Sequence, residues 1–176
     1  MKRIAIGILA SSMLLAGGCV AGEFKDIEID SATNPRVDLS GYSTYSWGGS
    51  ASILADRDDD WTPRDLDVEA EIRFLIDREL RSRGWTEVAS SPDAIVVYAV
   101  GVDMNALELK VDRDNRETFQ EVPKGGVLVA MADPNTRQVM WAGGAVADVQ
   151  EEPSVKQTKR RLDYAITNIF REFTVE

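Results

Sequence analysis

The chain has 176 residues, with 30 acidic against 20 basic side chains, no histidine and a formal net charge of −10. Nucleic acid is excluded as an expected partner, because phosphate binding rests on clustered Lys and Arg, and the lack of histidine removes the usual zinc ligand, the common general base and the Ser-His-Asp arrangement together. A single cysteine, Cys19, allows no internal disulfide and no thiolate metal site, so the fold must rest on packing.

Lys2 and Arg3 precede an apolar run from Ile4 to Leu15 and the small residues Ala16, Gly17 and Gly18, the layout of a secretory signal peptide over residues 1–18. The run is shorter than the roughly 20 residues needed to cross a hydrocarbon core, which argues against a permanent transmembrane anchor. Cys19 follows directly, and Leu15-Ala16-Gly17-Gly18-Cys19 resembles the lipobox of bacterial lipoproteins, with Leu15 one place early. The resemblance implies cleavage before Cys19, a diacylglycerol on its sulfur and an acyl group such as palmitate on the new amino terminus. Two or three acyl chains hold a protein stably on a membrane where one is marginal. Ordinary cleavage leaving a free thiol is the alternative. Val20 stands where Asp favours inner-membrane retention in lipoproteins of enteric bacteria, so the resemblance implies the periplasmic face of the outer membrane in a two-membrane host. The remaining ~158 residues are near the common size of one domain, and loss of Lys2 and Arg3 takes the net charge from −10 to −12.

Residues 19–25 read as lipidated N-terminus and tether, and 26–176 as a single domain. Ile27-Glu28-Ile29-Asp30 alternates like a half-buried strand, and a turn-rich run, Ser31 to Arg36, follows. Tyr42 to Trp47 again has period two and ends at Gly48-Gly49-Ser50. Thr62, Pro63 and Asp65 form a box-like helix start. Val68, Ile72, Leu75, Ile76 and Leu80 make its apolar stripe, Glu69, Arg73 and Asp77 its wet face, and Gly84 a left-handed cap. Ser91-Pro92-Asp93 marks a turn before Ala94 to Val100, an unbroken apolar run suited to a strand buried on both faces. Leu107 to Val111 and Thr118 to Val122 flank a solvated tip, Asp112 to Arg116. Gly126 to Ala132 and Gln138 to Ala142 form a hairpin around Asp133-Pro134-Asn135-Thr136, and Gly143-Gly144 permits a bulge. Leu162, Ala165, Ile166, Ile169, Phe170 and Phe173 define a C-terminal helix starting near Ser154. The expected architecture is α+β, a mainly antiparallel sheet of about five to six strands with two long helices packed on it, preceded by the signal peptide.

Four features carry possible chemistry. Asp56, Asp58 and Asp60 alternate as the opening of a calcium loop does, but Trp61 replaces its sharp-turn glycine and Asp67 its bidentate glutamate. The preferred reading is a solvated acidic loop leading into the positive N-terminal end of a helix. Lys156, Lys159, Arg160 and Arg161 could meet lipid head groups or an acidic partner, or neutralise Glu151, Glu152 and neighbouring acids. Trp61, in a polar loop, is the tryptophan expected at the surface, whereas alternation places Trp47 and Trp141 in a core. Neither a nucleophile-base pair nor a phosphate loop is present, so no residue is assigned a catalytic role and no cofactor is expected beyond the lipid on Cys19.

Val37 to Trp47, the helix ending Leu80-Arg81-Ser82-Arg83-Gly84-Trp85, Pro92 to Val96, Gly126-Val127-Leu128 and Val139 to Gly143 together resemble the bacterial lipoprotein family called domain of unknown function forty-one thirty-six. The resemblance implies this fold and an envelope location and carries over no catalytic residue. The expected function is that of a lipid-anchored, non-catalytic binding or structural domain, held on the membrane by its lipid and contacting an envelope protein or lipid. The alternatives are a carboxylate-dependent envelope hydrolase and an accessory subunit of an envelope transport or assembly complex.

Overall fold

The computed structural model describes residues 22–52, 65–111, 117–150 and 152–173. The strands are β1 (Glu28–Thr33), β2 (Thr44–Ser52), β3 (Thr86–Glu87), β4 (Ala94–Val111), β5 (Glu117–Ala132) and β6 (Val139–Asp148). The helices are α1 (Val68–Ser82) and α2 (Val155–Ile169), the latter followed by a 3-10 turn, Phe170–Glu172. All six strands form one sheet in the order β1-β6-β5-β4-β2-β3.

The sheet is mixed, which corrects the expectation of a mainly antiparallel one. β2 runs parallel to both β4 and β3, whereas the β4-β5, β5-β6 and β6-β1 pairs are antiparallel. The physical reason lies in the order strand, helix, strand: parallel neighbours need a crossover, and α1 supplies it between β2 and β4. Asp93 fixes the register of that parallel pair. Its carboxylate accepts from the Ser43 and Thr44 amides at 3.0 and 2.8 Å and from the Thr44 hydroxyl at 2.7 Å. These bonds, the Ser43 amide first and the Thr44 hydroxyl next, hold its pKa below the ordinary carboxylate value.

Several boundaries differ from the sequence reading. Ala94–Val100 and Leu107–Val111 are one strand, β4, and its partner β5 runs unbroken to Ala132, so the two make a long hairpin. β1 continues through Ser31 to Thr33 because β6 pairs with it as far as Trp141. The Gly143-Gly144 pair lies in regular pairing, and the irregularity between β5 and β6 falls between Met131 and Ala132. The first helix begins at Val68, capped by the Asp67 side chain on the Ala70 amide at 2.9 Å. Gly84 takes the left-handed conformation its position demands, with φ +84°.

Both helices lie on one side of the sheet. The α1 stripe is buried in full, and Ala165, Ile166, Ile169, Phe170 and Phe173 bury the matching stripe of α2 and the turn after it. Asp77, expected to be wet, is buried, and it accepts a 2.6 Å hydrogen bond from the Tyr45 hydroxyl. Burial, reinforced by that bond, pushes the Tyr45 phenol far above its ordinary pKa. Glu79 fastens the two helices. It takes Arg83 at 2.8 Å and Arg78 at 2.7 Å, while Arg78 also reaches Asp163 and Thr167 on α2. Burial raises the Glu79 pKa, but the hydrogen bonds of Arg83, Arg78 and Thr167 outweigh it and the net shift is downward.

The other side of the sheet is uncovered by any described element. Ala94–Val100 is therefore buried on one face only: Ala94, Val96 and Tyr98 face the helices, while Val97 is 36 % and Leu128 on β5 49 % exposed. The run is apolar on both sides because the open face is itself apolar, with Ala99, Ala130, Ala142 and Gly144 around those two residues.

Candidate functional site: a pocket beside the clamped N-terminal segment

Along the helix-facing side of the sheet, the bulkiest residues stand at one end and only small ones at the other. On β6 the sequence of inward positions is Trp141, Gly143, Ala145, Ala147, and on β5 it is Met131, Val129, Val127, Gly125. At the large end, Trp141 packs on Phe170 and Phe173 at 4.9 and 5.0 Å between ring centroids. At the small end the first turns of α1 and α2 cannot reach a floor of Gly and Ala, and a cavity of about 120 Å³ remains. Its walls are apolar, with Val68, Val100, Val127 and Leu162 prominent and Ile27 closing one side.

Arg161 and Asp148 stand at its rim, and both are engaged. Arg161 donates to the Glu23 carbonyl at 2.6 Å and forms a two-pronged ion pair with Asp26. Asp148 pairs with Lys124, and its backbone N–H donates to Asp26 at 3.1 Å. Burial raises the pKa of Asp26, but the Arg161 hydrogen bond and charge outweigh it, so Asp26 stays ionised below the ordinary carboxylate range.

Within the segment read from the sequence as lipidated N-terminus and tether, the described residues Glu23 and Phe24, with Asp26 just after it, are packed on α2. Besides the Arg161 contacts, Arg160 pairs with Glu23 at 2.6 Å and lies 5.9 Å above the Phe24 ring. Phe24 itself stacks on Tyr164 of α2, with centroids 4.3 Å apart and planes 7° from parallel. Of the basic group singled out from the sequence, Arg160 and Arg161 hold residues 23–26, Lys159 pairs with Glu71 on α1 at 2.6 Å, and exposed Lys156 pairs with no described acid. The acids they neutralise are Glu23, Asp26 and Glu71, far away in sequence and so unreadable from local spacing.

The lipobox residues Leu15, Ala16, Gly17 and Gly18, the lipidation residue Cys19, the acidic Asp56, Asp58 and Asp60, and Trp61 lie outside the described residues. Trp141 is buried as expected. Trp47 is half-buried with the Arg73 guanidinium 4.7 Å over its ring. Every described carboxylate with a resolved shift, namely Asp26, Asp38, Glu79, Asp93 and Asp133, is held below its ordinary pKa. A general acid requires the opposite displacement. Among the described residues, no three His, Cys, Asp or Glu side chains converge to hold a metal ion, and no helix is long and apolar enough to cross a membrane.

The fold is therefore that of a small α+β domain with a mixed six-stranded sheet covered on one side by two helices. Residues 29–173 match the family model described as Domain of unknown function (DUF4136), and the chain belongs to that family. Among solved structures, a DUF4136 family protein from Bacteroides thetaiotaomicron is 10% identical with a TM-score of 0.56, the match covering 84% of this chain and 96% of that one. A PDZ domain protein from Parabacteroides distasonis is 12% identical with a TM-score of 0.50, covering 83% of this chain and 35% of that one. The PelC dodecamer from Paraburkholderia phytofirmans is 13% identical with a TM-score of 0.48, covering 82% and 95%. A search of the curated proteins finds no match.

Proposed function

We propose that this chain is a lipid-anchored lipoprotein of the cell envelope, attached through Cys19, whose domain is a non-catalytic binding module held close against the membrane. One observation carries the reading: the residues that follow the lipobox are clamped onto α2 by Arg160, Arg161 and Tyr164. Glu23 is four residues from Cys19, so the lipid attachment point lies within about 14 Å of that clamp. An anchor delivered from a fixed point holds the domain in a restricted orientation, which a long tether would not do. The position of Val20 supports the outer membrane as the site of attachment in a two-membrane host.

Metabolic labelling with an alkyne-bearing palmitate tests the anchor. The wild-type chain incorporates label and stays in the membrane fraction after high-salt washing, and the Cys19→Ala variant incorporates none. Label persisting in Cys19→Ala would overturn the reading.

The open sheet face supports a second reading, an accessory subunit of an envelope assembly. Contiguous exposed apolar surface of this kind marks contact sites. If so, Leu128→Glu abolishes a specific crosslinked complex in the native host while leaving membrane attachment intact. A crosslinking pattern unchanged by Leu128→Glu would remove it.

A further inference from the structure

The pocket between the helices and the sheet has a size, a lining and a location that together restrict its occupant. Its volume of about 120 Å³ is close to the ~150 Å³ apolar cavity that accepts one benzene molecule. It therefore has room for a short stretch of hydrocarbon and none for a whole lipid. The lining is Val, Leu, Ile, Ala and Gly over most of its surface. The lining charges are already committed, Arg161 to Asp26 and the Glu23 carbonyl, and Asp148 to Lys124. A free carboxylate or phosphate would have to compete with those pairs, so the ligand that fits presents hydrocarbon alone and keeps its polar end outside. Ile27, which closes one wall, follows directly on the clamped Glu23 to Asp26 segment.

We propose that this pocket takes the end of one acyl chain of the lipid carried by Cys19. The inference rests on the anchoring reading and names the ligand of its binding module. Cys19 lies four residues before the clamp at Glu23 and eight before the pocket wall at Ile27. A connection that short keeps the lipid at a high effective concentration near the opening, in the millimolar range typical of short linkers. That advantage belongs to the protein's own anchor and to no free lipid. Each methylene withdrawn from water into the hollow adds favourable transfer free energy, and the gain is largest when the protein is away from a bilayer. One of the two or three chains is then shielded by the domain and the others remain free for the membrane.

The test is photocrosslinking within the mature lipoprotein. Protein is purified in detergent from the native host grown with a fatty acid bearing a terminal diazirine, irradiated and mapped by mass spectrometry. The expected product joins the lipid of the Cys19 peptide to peptides containing Val127, Ala145 or Leu162. Ala147→Phe, which fills the small end of the floor, should lower that product at least tenfold, and Ala32→Phe on the opposite face should leave it unchanged. Thermal unfolding checks that both variants fold, and the wild-type adduct map decides independently of them. A lipidated Cys19 peptide with no adduct in the pocket overturns this inference and leaves the anchoring reading standing. Pocket adducts carrying a phospholipid in place of the Cys19 peptide overturn the assignment to the protein's own anchor. A Cys19 peptide without lipid overturns both.

Discussion

The two ends of the interface between sheet and helices obey the same packing rule and reach opposite results. At one end Trp141, Phe170 and Phe173 fill the space with rings 4.9–5.8 Å apart, beside Met131, Ile166 and Ile169, each fully buried. At the other, Gly125, Ala145 and Ala147 sit under the first turns of α1 and α2 and leave a hollow. The distinction is made by side-chain volume alone, since both ends belong to the same strands and helices. It teaches that the packing that holds the helices down and the space left unfilled lie at opposite ends of the strands. The filled end holds the helices down, and the hollow end, next to the clamped N-terminal segment, is free to accept something else.

Substitutions at the two ends should therefore have unequal costs. Trp141→Ala removes the centre of the filled end and should lower unfolding free energy by about 3–5 kcal/mol, as large-to-small aromatic changes in cores do. Denaturant titration measures it, and a loss under about 1 kcal/mol would contradict the comparison. At the same end, Gly143→Ala adds a methyl group 2.7 Å from Ile169 Cγ2 and 3.0 Å from the Trp141 ring. Overpacking of that kind should cost about 1–3 kcal/mol.

Breaking the clamp lies between the extremes. Arg161→Ala leaves Asp26 without its cation and should cost roughly 1–2 kcal/mol, less than a fully buried pair because both side chains retain some solvent contact. Hydrogen exchange should show the loss concentrated in residues 22–27, and equal protection there in variant and wild type would mean the clamp is ornamental. The same pair sets a pH dependence. Asp26 and Glu79 have depressed folded-state pKa values, so their stabilisation is present above the unfolded carboxylate pKa of about 4 and is lost as pH falls through the lower folded values. The melting temperature should drop steeply below about pH 4, and Arg161→Ala should flatten part of that drop. The smallest effect is expected at the hollow end, where Ala147→Val has space to enter and should change stability by less than about 1 kcal/mol.

Much of the fold was legible because it rests on local periodicity. The stripe from Val68 to Leu80, the stripe ending at Phe173, the Gly84 cap and the hairpin turn at Asp133 all follow from spacing within one element. The mixed sheet was missed because hairpin signals late in the chain were extended to its first half, although a helix between two strands is itself the signature of a parallel pair. The role of Asp93 was hidden because it acts across 49 residues on Thr44. Asp77 was misplaced for a similar reason, since nothing on its own helix foretells the Tyr45 hydroxyl. The pocket was unreadable because it arises from what Gly125, Ala145 and Ala147 lack. The basic cluster was visible as a cluster, but its partners Glu23, Asp26 and Glu71 are brought to it only by the fold.

The proposed anchoring depends above all on Cys19 carrying the lipid. The intact mass of the mature chain isolated from its native host tests that most directly. A polypeptide beginning at Cys19, heavier than its sequence by a diacylglycerol and an amide-linked acyl group, is the predicted result. An unmodified polypeptide, or one beginning at any other residue, would contradict it.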